Sequence, residues 1–168
     1  MRAAGGTGRL GAAVIGYGYW GPNLARNLSE SLGFDLLHIC DQDEERRDLA
    51  RRRYPAVSTP TTCDEVLSDA RVNSIFIATP TVSHYPLALR ALEAGKNIFV
   101  EKPISSSSKE ARTLVAAARG RGLVLMVDHT FIYTGAVRRI RKLIDDGDIG
   151  ELLYFDSTRI NLGIFQHD

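Results

Sequence analysis

Residues 10–27, LGAAVIGYGYWGPNLARN, constrain the fold more than any other stretch of this chain. An apolar run, Leu10–Ile15, leads into glycines at 16, 18 and 21 in the spacing G-x-G-x-x-G. Each glycine answers a different requirement. Gly16 permits a tight turn off a strand, Gly18 lets the backbone approach a pyrophosphate, and Gly21 lets helix and strand pack closely. Pro22 follows, with φ already helical and no N–H for the first helical turn to leave unpaired. A helix starting there offers free amides and a positive dipole end to an anion. A second match, Gly6, Gly8 and Gly11, lacks this context. Only MRAAG precedes it, too short for a core strand, and residues 1–8 read as a flexible start.

A dinucleotide site also needs an acid about 20 residues past the last glycine, at the end of the second strand, to bind the adenosine ribose hydroxyls. Phe34–Cys40 reads as that strand and Asp41 follows it. Its neighbours Gln42 and Asp43 include no base to hold a 2′-phosphate, which favours NAD over NADP; Arg46 and Arg47 come one helical turn later. The alternative role for Asp41 is a turn residue or cap before a helix at 43–53. In the company of the glycines, the ribose role is preferred.

The rest of the chain alternates strand and helix. Expected strands are 10–15, 34–40, a short piece near 57–59, 73–79, 97–100 and 123–127. Expected helices are 22–32, 43–53, 63–69, 83–94 and 109–121, the last capped by Ser107 or Ser108. Continuous apolar runs such as Ile75-Phe76-Ile77 suit parallel strands buried on both faces. The fold class that follows is α/β, a doubly wound parallel sheet with right-handed crossovers, binding its ligand at the carboxyl ends of the strands. The last quarter differs. A basic helix at 134–145 precedes Glu151–Ile160, whose polar and aromatic alternation suits a one-sided antiparallel strand. The expected organisation is a flexible 1–8, a nucleotide-binding domain over 9–130, and over 131–168 a connecting helix with the first strand of a second domain. A lone strand cannot satisfy its edges, so the apolar side of Leu152–Ile160 is an expected self-association surface.

The 168 residues carry a net charge of +1, which gives no electrostatic case for nucleic acid or a membrane surface. The clusters Arg51–Arg53 and Arg138–Lys142 lie on helical patterns and read as solvated faces. No apolar run is long enough to span a bilayer and no signal-peptide pattern opens the chain, so the expected compartment is the cytoplasm. Cys40 and Cys63 form no metal-ligand cluster, and Cys40 reads as a small buried hydrophobe.

Taken together, GYGYWG, Asp41, ATPTVSHYPLALRALEAGKNIFVEKP and VDHTFIY strongly resemble the Gfo/Idh/MocA oxidoreductases, with 78–103 the most specific part. The resemblance implies an NAD-binding Rossmann domain followed by a larger domain on an open antiparallel sheet. It implies hydride transfer between a nicotinamide cofactor and a sugar, polyol or nucleotide-sugar carbon. YGYWGPNLARN and RINLG resemble the subgroup acting on nucleotide-linked amino sugars. Only the beginning of the second domain is present, and the further acid/His motif of that domain has no equivalent here; the pair His167-Asp168 comes too early. The competing expectation is a non-catalytic NAD-binding or interaction module from a truncated or split enzyme. A homo-oligomer through the second-domain sheet is a further expectation.

By the same resemblance, Lys102 contacts the reacting hydroxyl and takes part in its proton transfer, a step that needs a positioned acceptor. Glu101 contacts the nicotinamide-side ribose, and the Lys102–Pro103 bond is commonly cis in the family. Thr79, Pro80 and His84 line the cofactor cleft, although His84 reads equally as a solvent-facing residue of a first helical turn. Tyr17 and Tyr19 join the glycine loop, Tyr17 near the phosphates, and Trp20 packs between loop and helix. Asp128 and His129 face substrate or form a capping or buried hydrogen-bonded pair. Arg159 and Asn161 resemble substrate-domain positions.

Overall fold

In the computed structural model, residues 8–158 and 160 are described. The chain divides after Asp128 into two units. The first contains strands β1 (Leu10–Ile15), β2 (Phe34–Cys40), β3 (Val72–Ile77), β4 (Asn97–Val100) and β5 (Leu125–Val127). Its helices are α1 (Gly21–Glu30), α2 (Glu44–Arg53), α3 (Cys63–Ser68), α4 (Thr81–Glu93) and α5 (Ser108–Arg121). The five strands form one parallel sheet in the order β2-β1-β3-β4-β5. The order reverses between β1 and β3, and a crevice at such a switch point is where open α/β sheets hold ligands.

The central strand explains the need for small residues. Ala12, Ala13 and Val14 are fully buried. A Cβ on Gly11 would lie 2.0 Å from the Arg71 carbonyl oxygen. Alternate residues serve two layers. Ala12 and Val14 pack with Leu24, Ala25 and Leu28 of α1 and Ala50 of α2. Ala13 and Ile15 pack with Ile75 and Ile77 of β3, Ala88, Ala91 and Leu92 of α4, and Leu114 of α5. Burying that apolar area is the main favourable term of the fold. On the first side the cover stops short. A hollow of about 320 Å³ remains on the sheet face, lined by Phe34, Phe76, Phe99 and Met126 among others.

Side-chain and glycine caps close helices α2 and α5. The Asp43 side chain accepts from the amides of Glu45 and Arg46 and caps α2. Of the two candidate serines, Ser107 caps α5 by accepting from Glu110 N–H at 3.2 Å. Gly122, at φ +65°, closes that helix in the left-handed conformation. A polar hub the sequence did not suggest sits at the opposite end of the sheet from the glycine loop. The Asp69 carboxylate accepts from His38 and Arg71, which holds it well below the usual carboxylate range, while buried Lys96 donates to the carbonyls of Asp69 and Val72.

Some elements are shorter than expected, each because a backbone group is used elsewhere. The piece at 57–59 makes only a single bridge, Ser58 to His38 at the sheet edge, between Pro55 and Pro60, which lack the N–H a longer strand needs. The last strand begins at 125. Leu123 N–H is taken by Ala118 at the end of α5, and Val124 N–H by the Asn97 side chain.

The second unit contains a 3₁₀ turn (Thr130–Tyr133) and α6 (Gly135–Asp145), capped by the Thr134 hydroxyl and laced by the ion pairs Arg141–Asp145 and Lys142–Asp146. The expected strand Glu151–Ile160 is not formed: residues 151–158 and 160 have no regular structure. A strand exists by pairing, and among the described residues no strand pairs with this segment. The expected flexible start falls on residues 1–7, outside the described residues, save Gly8. Arg159, Asn161, His167 and Asp168 also lie outside them. Among the described residues, no helix is long and apolar enough to cross a membrane.

Candidate functional site: a dinucleotide crevice at the strand ends

The glycine loop is held from three sides. Gly16 N–H donates to the Cys40 carbonyl at 2.8 Å, tying the turn to the end of β2. Tyr17 N–H donates to Asp41 Oδ2 at 2.6 Å. A Cβ on Gly16 would meet the Ala78 carbonyl oxygen at 2.5 Å and Thr79 Cγ2 at 2.9 Å, so the loop lies against the end of β3. A Cβ on Gly21 would sit 2.1 Å from the Gly16 carbonyl oxygen. Gly18 differs: its Cβ would meet only the guanidinium tip of Arg46, at 3.3 Å. The loop is therefore closed on the protein side and open at Gly18, the form a pyrophosphate cradle requires. The first turn of α1, with no acidic side chain, faces the same edge.

Asp41 has a second task. Oδ2 holds Tyr17 N–H while Oδ1 accepts from Asp43 N–H at 2.9 Å, and the side chain is only 8% exposed. The turn role weighed in the sequence is thus present, and each oxygen keeps a lone pair for a further donor. The arginine that sequence spacing put a helical turn away comes back in space. Arg46 Nη1 lies 3.9 Å from Asp41 Oδ2, against the loop at Gly18.

The side chains of the loop divide. The Tyr17 ring is buried at 5% exposure among Leu24, Ala50 and the α1–β2 core, so only its backbone faces the cradle; the expected position near the phosphates does not hold for the ring. Tyr19 is 73% exposed and lies alongside Trp20, ring centroids 6.0 Å apart. Trp20 does not pack between loop and helix as expected. Its Nε1 donates to Asp128 Oδ2 at 3.3 Å.

On the neighbouring strands, Thr79 Oγ1 accepts from Ser83, and Pro80 precedes the first residue of α4. His84 is 1% exposed, which overturns the solvent-facing reading. Its Nδ1 meets the Pro103 carbonyl at 2.7 Å and its Nε2 the Thr79 carbonyl at 2.8 Å. A neutral imidazole carries one N–H, so each tautomer donates to one carbonyl and only the imidazolium donates to both. Either way His84 pins the loop after β3 to the loop after β4 and positions the site without facing it. The Lys102–Pro103 peptide is cis. Lys102 is exposed, and its ammonium donates no hydrogen bond among the described residues.

Two carboxyls end adjacent strands. Glu101 follows β4 and Asp128 follows β5, where Asp128 N–H donates to the Val100 carbonyl at 2.9 Å. Burial, then the neighbouring Asp128 carboxyl, pushes Glu101 up to about 7. Glu101 Oε1 is buried with no partner among the described residues. An unpaired buried acceptor beside a glycine cradle fits the ribose hydroxyls of a dinucleotide. Asp128 is buried, and its Oδ2 accepts from Trp20 Nε1. His129 belongs to the second unit, where its carbonyl accepts from Ile132.

The comparisons agree with this geometry. A model of the Gfo/Idh/MocA oxidoreductase family, NAD-binding Rossmann fold, matches residues 10–129. The chain is 33% identical over 150 residues to 2,7-anhydro-N-acetylneuraminate hydratase of Mediterraneibacter gnavus, covering 89% of this chain and 39% of that one. It is 31% identical to scyllo-inositol 2-dehydrogenase (NAD(+)) of Bacillus subtilis, covering 85% and 42%. The structure of GenD2 from gentamicin A biosynthesis in complex with NAD superposes with a TM-score of 0.78 at 37% identity, covering 83% and 40%. The chain spans about two fifths of the length of the curated relatives it matches.

Two predictions rest on this geometry. Gly18→Val, which meets only the movable guanidinium tip of Arg46, is expected to keep the melting temperature and abolish NADH binding, whereas Gly21→Val, driven into the Gly16 carbonyl, is expected to lower the melting temperature sharply. Calorimetric titration alongside thermal melts checks both, and unchanged NADH affinity in folded Gly18→Val would show that the cradle lies elsewhere. The second concerns pH. Glu101 sits above its ordinary value of 4.5, so the cost of ionising it in the fold is absent below about pH 4.5 and complete above about pH 7. The melting temperature of Glu101→Gln minus that of the wild type should therefore be more positive at pH 8 than at pH 5. A difference independent of pH contradicts the raised Glu101 carboxyl.

Proposed function

Because the chain belongs to the Gfo/Idh/MocA oxidoreductase family, we propose that it is the cofactor half of an NAD-dependent oxidoreductase acting on a sugar, polyol or nucleotide-sugar hydroxyl carbon. The observation that carries the reading is one shared edge. The loop anchored by Asp41, the Glu101 carboxyl and the exposed Lys102 all leave the carboxyl ends of the same parallel sheet. In this reading the loop amides and the α1 N-terminus bind the pyrophosphate, Asp41 takes the adenosine ribose, and Glu101 takes the nicotinamide-side ribose. The bound cofactor supplies the hydride acceptor or donor. Lys102 receives or relays the hydroxyl proton and, as ammonium, stabilises negative charge growing on that oxygen. His84, bonded to the Pro103 carbonyl, braces the loop that carries Lys102.

The relatives' names span a hydratase and a dehydrogenase. The substrate and the net reaction accordingly belong to what faces Lys102 from the second domain, for which Arg159 and Asn161 remain proposed contributors. A non-catalytic NAD-binding module is the second reading.

Titration separates the cofactors. NADH is expected to bind more tightly than NADPH, since Asp41 repels a 2′-phosphate. Arg46 beside it offers a compensating cation, and one charge-assisted hydrogen bond amounts to roughly tenfold in affinity. Arg46→Ala should therefore widen the gap. Equal affinity for both cofactors in wild type and variant removes Asp41 from the ribose site. In a protein that also carries the substrate domain, Lys102→Ala should lower kcat about 10²–10⁴-fold while leaving the NADH dissociation constant within about twofold. Undiminished turnover by that variant takes Lys102 out of the chemistry, and absence of any turnover in its parent favours the binding module.

A further inference from the structure

Trp20 is the one tryptophan of the chain. It belongs to the loop after β1, yet its indole reaches Asp128, which follows β5. In the sheet order these strands are three steps apart, about 14 Å at roughly 4.8 Å per step. The loop and the indole together therefore bridge the ends of β3 and β4, the edge from which Thr79, Glu101 and Lys102 emerge. Asp128 is 8% exposed and fixes the ring by its edge, while Trp20 stays 37% exposed.

The direction of a bound dinucleotide follows from its anchors. Asp41, at the end of β2, marks the adenosine side of the loop. The other half must run the opposite way, over β3 and β4 toward β5, which is the side Trp20 occupies. An indole face carries negative quadrupole density and attracts a cation placed over it. The oxidised nicotinamide ring is cationic, and the Glu101–Asp128 pair adds acceptors at the same place.

We propose that Trp20 is the aromatic wall of the nicotinamide subsite and that Asp128 is the positioning residue that holds its ring. This rests on the cofactor reading above and adds to it a named contact for the nicotinamide ring. It also explains why a buried carboxylate at the end of β5 is spent on a loop residue from β1.

The lone tryptophan makes the test direct. The 168-residue protein is titrated with NAD+ and with ADP-ribose, which shares the adenosine and pyrophosphate but lacks nicotinamide, following tryptophan emission and calorimetric heat. NAD+ should quench the emission and ADP-ribose should not. Trp20→Ala should weaken NAD+ about 3- to 10-fold, the size of one aromatic or cation–π contact, and leave ADP-ribose within about twofold. Asp128→Ala, which frees the ring, should reduce the NAD+ quench. If both ligands bind and change the emission alike, or if folded Trp20→Ala binds NAD+ as the wild type does, the wall assignment is wrong and the cofactor reading stands. A full quench in folded Asp128→Ala overturns the positioning role. If neither ligand releases heat, the cofactor reading itself falls. The wild-type comparison decides the main point even if a variant does not fold.

Discussion

The hydrogen bond from Tyr17 N–H to the Asp41 carboxylate is the interaction on which the rest of the site depends. At 2.6 Å to an ionised, mostly buried oxygen, it is of the charge-assisted class, stronger than a neutral bond. It joins the turn after β1 to the end of β2, beside the Gly16 to Cys40 bond. The other oxygen holds the amide of Asp43, the cap of α2. One carboxylate thus sets the glycine loop, the start of α2 and the place where a ribose would sit. Removing it would leave a buried amide unpaired and release the loop together with the helix.

Charge along the carboxyl edge is arranged by burial as much as by residue type. Glu101 ends the strand beside that of Asp128, and burial together with that neighbour pushes the Glu101 carboxyl up to about 7. Lys102 lies next to Glu101 in sequence but in solvent, so its charge is held at the surface of the crevice. Arg46, at the opposite end, places a cation over the open glycine. An anionic ligand therefore meets donors and positive charge along the loop, while the unpaired Glu101 oxygen offers an acceptor farther on.

Small residues and histidine do related structural work behind this edge. Gly16 and Gly21 exist because backbone oxygens occupy the space of a side chain, whereas at Gly18 only the Arg46 guanidinium lies near. His84 closes the back of the site by reaching the carbonyls of Thr79 and Pro103 from inside α4, out of reach of solvent. The crevice is thus framed by backbone atoms, and its side chains are few.

The sequence by itself determined the alternation of strand and helix, the glycine loop, the acid after the second strand and the EKP turn. These signals are local: a periodicity, a φ requirement, a capping residue, a fixed offset. The cap of α5 at Ser107 was legible for the same reason. Tertiary structure decided whatever depended on which distant atoms meet. It turned the Tyr17 ring inward, carried Trp20 across to Asp128, brought Arg46 back over Gly18 and buried His84 between two loops. It also left residues 151–158 and 160 without regular structure, where the alternation is right but no strand among the described residues pairs with them, because pairing between strands is a property of two segments and a sequence pattern describes only one.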